Sequence, residues 1–169
     1  GFIRDVPDFP KEGVIFKDIT PLLADAGALA DAVRQLADPY RDKNVDVVVG
    51  MESRGFIFAP AVACELGAGF APTRKPGKLP AEAISHSYEL EYGTDTLEMH
   101  ADAIKPGQKV LMVDDLIATG GTMAAACALV RKLGGEIIGA AFLIELCFLH
   151  GREKLPGLDV MSLIKVDGE

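Results

Sequence analysis

Apolar residues fall into two rhythms along this chain, and the alternation between them predicts its architecture. Leu29, Ala32, Val33 and Leu36 recur at helical spacing, so Asp25 to Leu36 reads as a helix with one apolar face. Val45-Asp46-Val47-Val48-Val49 is a β-branched run ending at Gly50, the pattern of a buried strand. Gly55 to Leu66 reads as a helix stopped by Gly67, and Gly69 to Thr73 as a second strand. Lys109 to Val113 is a short hydrophobic strand, followed by a helix over Thr122 to Leu133 that Gly134-Gly135 stops. Ile137 to Leu146 and Leu158 to Ile164 supply two more strands. Strands alternating with helices predict an α/β fold with a central, mainly parallel sheet and helices on both faces.

Two stretches stand outside this rhythm. Pro7, Pro10, Gly13 and Pro21 punctuate the first 24 residues, which read as loop with short extended pieces. Residues 74–82 (RKPGKLPAE) form a basic loop, and Ile84 to Tyr92 and Thr94 to His100 are extended around Gly93. The segment 74–100 is therefore expected to be a two-stranded flap outside the core, mobile because it holds little apolar content. With 169 residues and no linker or repeat, the chain reads as a single domain, 1–169.

Charge narrows the function classes. The net charge of −8 argues against a nucleic-acid surface, which needs a basic field. A substrate bearing several phosphates would be repelled by the whole molecule, so it would need a locally basic site. Arg74, Lys75 and Lys78 are such a cluster. No apolar run approaches the roughly 20 residues that span a bilayer, and the first residues show no signal-peptide pattern. Cys64, Cys127 and Cys147 lie far apart in apolar surroundings and read as free thiols, and His86, His100 and His150 have no metal spacing.

The most informative stretch is Val110-Leu111-Met112-Val113-Asp114-Asp115-Leu116-Ile117-Ala118-Thr119-Gly120-Gly121-Thr122. It reads as a strand, two acids, a Gly-rich turn and a helix start. Backbone N–H groups of such a turn bind phosphate, and Thr119 and Thr122 add hydroxyl donors. Paired carboxylates beside an anion site make no sense toward phosphate alone. They suit ribose hydroxyls, or a positive charge that develops in a transition state. The stretch is no P-loop, since it lacks a GK[ST] ending and its acids precede its glycines.

This stretch resembles the signature by which type I phosphoribosyltransferases bind phosphoribosyl pyrophosphate (PRPP). The resemblance implies that Asp114 and Asp115 contact the ribose and that Ala118, Thr119, Gly120, Gly121 and Thr122 hold its 5′-phosphate. Other segments look like those of adenine phosphoribosyltransferases in particular, in order from Phe9 to about Leu155. Phe9 to Asp18 resembles their N-terminal hood, and Gly50 to Phe56 their pyrophosphate loop, with Ser53 and Arg54 in contact with that group and a cis Glu52–Ser53 peptide. Arg74 to Pro80 and Tyr88 to Gly93 resemble their catalytic loop, with Arg74, Lys75, Lys78 and Tyr92 at PRPP. Glu145-Leu146 closes the series. The base would lie between Phe16 and Leu146, with main-chain groups of Ile15 and Lys17 reading its amino edge. Lys17 stands where the family often has Arg.

Hypoxanthine–guanine enzymes have an Asp at the position of Ala118, so the proton transfer must come from elsewhere, and the resemblance assigns it to Glu91. Glu89 shares a strand face with Glu91, so spacing alone does not separate the two. The implied reaction is adenine plus PRPP giving AMP and pyrophosphate. It would use Mg2+ held mainly by PRPP oxygens and water, with no protein metal ligand. The resemblance also implies a homodimer and a cytoplasmic role in purine salvage. The rivals are a xanthine- or guanine-type transferase and a non-catalytic PRPP-sensing regulator. Such regulators place a DNA-binding domain before the core, which here begins near residue 25.

Overall fold

The computed structural model describes residues 1–90 and 92–168. Its centre is a five-stranded sheet of β3 (Val47–Met51), β4 (Gly69–Thr73), β7 (Lys109–Ile117), β8 (Glu136–Leu146) and β9 (Val160–Val166). The order is β4-β3-β7-β8-β9 and every pairing is parallel. Both faces are covered, as the continuous apolar runs require. Val47, Val49, Met51, Val110 and Met112 face α4 (Gly121–Lys132), while Val48, Leu111 and Val113 face α2 (Ala26–Ala37) and α3 (Gly55–Leu66). Asp25 caps α2 by accepting the Ala28 N–H at 2.8 Å, which fixes the helix start that the sequence indicated.

At the N-terminus, β1 (Arg4–Val6) and β2 (Phe16–Asp18) form a separate antiparallel pair. A short helix, α1 (Thr20–Ala24), follows where loop was expected. Pro21 sits in its first turn, a place where proline starts a helix rather than breaking it.

Two expectations are corrected. The strand over 109–113 continues through both acids to Ile117, because β8 runs alongside and pairs Asp114 with Phe142 and Leu116 with Ile144. The flap is not wholly outside the core. Its strands, β5 (Ala83–Glu89) and β6 (Thr94–His100), pair antiparallel, and Leu97 and Met99 of β6 are fully buried against α4 and the sheet. They alternate with Thr96 and Glu98, so one face of β6 belongs to the core. Among the described residues, no helix is long and apolar enough to cross a membrane.

Candidate active site

Strands β3 and β7 are adjacent and parallel, so their carboxyl ends open on the same edge, where ligands of such sheets bind. The turn after β3 holds Glu52, Ser53 and Arg54, and its Glu52–Ser53 peptide is cis, as the resemblance implied. α3 lies close on the sheet: a Cβ at Gly50 would come 2.5 Å from that of Ala59. Its first residue is equally constrained, since a Cβ at Gly55 would lie 2.7 Å from Asp114 Oδ1. Asp114 thus sits at the N-terminus of α3, where the helix dipole favours an anion. The close packing also sets Arg54 over the site, with its Nε 2.8 Å from Asp115 Oδ2.

The two acids are incompletely compensated. Asp114 Oδ1 accepts the Asp115 N–H at 2.8 Å. Asp115 Oδ2 is buried without a hydrogen-bond donor, since Arg54 approaches at an angle that makes an ion pair but no hydrogen bond. Part of the Asp114 side chain faces the cavity, but protein crowds the rest. Burial first, and the Asp115 charge second, push the Asp114 carboxyl well above the usual carboxylate range.

Beyond the acids, Ala118 and Thr119 lead to Gly120, whose φ of 82° is the left-handed conformation that favours glycine. The backbone of Gly151 abuts Gly120 so closely that a side chain there would collide with it. No side chain caps α4 at Gly120, so the N–H groups of its first turn are free to meet an anion. Acids, Ser53, Arg54 and the Ala118–Thr122 turn line one cavity of about 300 Å³. An anion-binding turn and a carboxylate pair therefore face each other across a space of small-ligand size.

The basic loop is present, but its charges are already paired. Arg74 and Lys78 reach Glu52 Oε2 at 3.1 and 3.2 Å, and the Lys75 N–H reaches Glu52 Oε1 at 2.7 Å. Burial opposes ionisation of Glu52, but these donors outweigh it and hold the carboxyl below its usual range. Lys75 pairs with Asp95 of the flap. The Tyr88 hydroxyl lies 3.3 Å from both Asp95 and Thr122, tying the flap to the first turn of α4. Tyr92 is 87% exposed, beside a second chamber of about 480 Å³ that Thr119, Gly121 and Thr122 also wall. Glu91 lies outside the described residues.

The residues expected at the base are only partly brought together. Ile15, Lys17 and Leu146 border a slot of about 220 Å³ between the N-terminal segment and the end of β8. Phe16 is not one of its walls. Its ring instead meets Phe9 edge-on at 5.1 Å and the Arg54 guanidinium at 5.0 Å, so it stands beside the acid cavity. The Lys17 ammonium is committed to Asp5 at 2.7 Å. Among the described residues, no three His, Cys, Asp or Glu side chains are grouped as metal ligands.

Sequence reasoning missed three participants. Glu52 is the counter-charge of the basic loop; its place between a strand end and Arg54 was the available signal. Glu145 is buried and held by Arg152 through two 2.6 Å hydrogen bonds and by the Ser162 hydroxyl. Lys154 stands beside Gly121. Nothing local in the sequence marks Arg152 or Lys154, because their partners are set by the fold.

The phosphoribosyl transferase domain pattern matches residues 22–159. The chain is 60% identical over 164 residues to an adenine phosphoribosyltransferase of Halothermothrix orenii, covering 97% of this chain and 96% of that protein. It is 59% identical over 162 residues to the one from Acidobacterium capsulatum, covering 96% and 90%. The solved adenine phosphoribosyltransferase of Thermoanaerobacter pseudethanolicus matches the fold with a TM-score of 0.95 at 54% identity, covering 98% of this chain and 96% of that one. The Saccharomyces cerevisiae enzyme, complexed with an imino-altritol bisphosphate and adenine, matches with a TM-score of 0.89 at 43% identity, covering 96% and 94%.

The strained acid pair predicts a pH-dependent gain on neutralising one member. Between the ordinary value of 3.8 and the raised folded-state value of Asp114, the native protein holds one proton more than the unfolded chain. This group's contribution to stability therefore falls as pH rises through that window. Asp114→Asn should melt above the wild type at pH 7, and the gain should vanish on approach to pH 4. An unchanged or lowered melting temperature at pH 7 would show that the carboxylate is fully accommodated by its neighbours.

Proposed function

The chain belongs to the phosphoribosyl transferase family, and on that premise we infer that it transfers the phosphoribosyl group of PRPP to adenine, giving AMP and pyrophosphate. It is a pentosyl-transferring enzyme of purine salvage. The observation that carries this reading is the one cavity that Asp114 and Asp115 line together with the uncapped start of α4. A ribose with hydroxyls on one side and a phosphate on the other satisfies both ends at once, as neither an anion nor a cation alone does.

The roles follow from that placement. The N–H groups and hydroxyls of Ala118 to Thr122 bind the 5′-phosphate, and Asp114 and Asp115 accept from the ribose hydroxyls. Departure of pyrophosphate leaves oxocarbenium character at C1 as N9 of adenine forms its bond there. The two carboxylates stabilise that charge electrostatically. Ser53, Arg54, Arg74, Lys75 and Lys78 bind the leaving group. Arg54 exchanges Asp115 for phosphoryl oxygens, and Arg74 and Lys78 exchange Glu52, so each charge is kept in place by an acid until substrate arrives.

Ile15, Phe16, Lys17 and Leu146 hold the base, with Lys17 acting through its backbone. Glu91 takes the N9 proton, and Tyr92 beside it helps position substrate. The flap, 74–100, covers the site and excludes water that would otherwise hydrolyse PRPP, its outer part moving while Leu97 and Met99 anchor its base. Mg2+, if bound through PRPP oxygens and water, would offset pyrophosphate charge. Asp114, Asp115 and Glu52 are the carboxylates that line this cavity. The enzyme works as one unit, with residues 1–24 as hood, in a cytoplasmic homodimer.

A coupled assay of nucleotide formation tests the reading. Adenine should be used at least about 100-fold better than guanine, since a wrong base leaves buried polar groups unpaired. Equal kcat/KM values for adenine and for guanine or xanthine would overturn the adenine assignment. A second assay tests the proton acceptor: Glu91→Gln should lower kcat by about 10²–10⁴ with little change in PRPP affinity, whereas Glu89→Gln should do little. Near-normal turnover in Glu91→Gln would assign the proton to another group.

A further inference from the structure

We propose that Lys154 is a ligand of the substrate 5′-phosphate, completing the Ala118–Thr122 site from a separate segment of the chain. The proposal rests on the phosphate role given to that turn above.

The Lys154 ammonium lies 3.8 Å from where a Cβ on Gly121 would be, directly beside the first turn of α4. A helix N-terminus carries partial positive charge and repels a cation. An anion shared between the ammonium and the helix turns that small repulsion into attraction. The other cations around the site are already satisfied: Arg54 by Asp115, Arg74 and Lys78 by Glu52, Lys75 by Asp95, and Arg152 by Glu145. Lys154 makes no ion pair among the described residues, although Glu89 borders the same chamber. Among the described residues it is a positive charge beside the turn with no acid paired to it, in a chain whose net charge of −8 disfavours bringing a phosphate in at all.

The segment that bears Lys154 is fixed rather than loose. Gly151 packs its backbone against both Gly120 and the Ala118 carbonyl, so the 151–154 turn is a buttress of the phosphate turn. Arg152 clamps it to the sheet, with bonds to Glu145, to the Val160 carbonyl at 2.6 Å and to the Ser162 hydroxyl at 3.1 Å. Leu155 on its other side is buried in the core. These anchors fix the backbone that carries Lys154, whose ammonium lies beside Gly121 and lines the same chamber as Thr122. Tyr88, bonded to Thr122 and close to Gly121, shuts the far side of the same chamber.

Calorimetric binding of AMP, adenosine and pyrophosphate to the full-length enzyme tests this. Lys154→Gln should weaken AMP by about tenfold, leave adenosine and pyrophosphate unchanged, and keep the wild-type melting temperature. Lys154→Arg should restore most of the AMP affinity. Lys132→Gln removes the same charge at the far end of α4 and should change AMP binding by no more than about twofold. The assignment is overturned if Lys154→Gln weakens AMP by less than about twofold, or weakens AMP and adenosine alike. A wild type that binds AMP no better than adenosine would instead remove the phosphate role of the turn, and the Lys154 assignment with it. Failure of adenine transfer with normal AMP binding would strike only the proposed reaction.

Discussion

Two carboxylates on consecutive residues of a central strand are the constraint around which this molecule is arranged. β7 pairs with β3 only as far as Val113 but with β8 on to Ile117, so Asp114 and Asp115 are held in the sheet and cannot retreat to solvent as loop acids could. Burial and mutual repulsion disfavour the doubly ionised pair. The surroundings offset part of this. α3 starts at Asp114 because Gly55 leaves room for the carboxylate, and Arg54 follows from the same turn to pair with Asp115. One oxygen of Asp115 still has no donor. Arg54 compensates that oxygen as an ion pair at 2.8 Å without hydrogen-bond alignment.

Charge is stored in the same way around the rest of the site. Glu52 gathers Arg74, Lys75 and Lys78 at the end of β3, and Asp95 holds the Lys75 ammonium from the flap. These pairs keep an acidic protein from presenting bare cations, while placing those cations where the proposed reaction would bind polyphosphate charge. The Arg74, Lys75 and Lys78 ends of these pairs are 35–50% exposed, so solvent screens the pairs and a multiply charged ligand can compete for the cations. Lys154 departs from the pattern, being held by backbone packing of its neighbours rather than by an acid.

Much of this was legible in the sequence. The Val47–Met51 run reads as a buried strand because its β-branched residues pack on both faces, and Asp25 and Gly67 bound helices by capping. The Asp114 to Thr122 stretch announces its chemistry because acids before glycines serve no structural purpose. The failures have physical causes. Two adjacent acids look like a strand end, yet pairing with Phe142 and Ile144 carries β7 on to Ile117. Leu97 and Met99 sit in a polar stretch whose two-residue alternation is short, so its burial shows only once α4 covers it. The neighbour of the Phe16 ring, the Arg54 guanidinium at 5.0 Å, is distant in sequence and so left no local signal. The Arg152–Glu145 clamp joins the end of β8 to a later turn and leaves no periodic trace.

The central claim is that the acid pair exists for the transition state rather than for the fold. Steady-state kinetics of Asp114→Asn and Asp115→Asn with adenine and PRPP test it most directly. Charge at ribose C1 develops only as pyrophosphate leaves, so both variants should lose kcat, by about 10²-fold, and more than they raise the KM for PRPP. Wild-type kcat in both variants, with only the KM altered, would contradict the account.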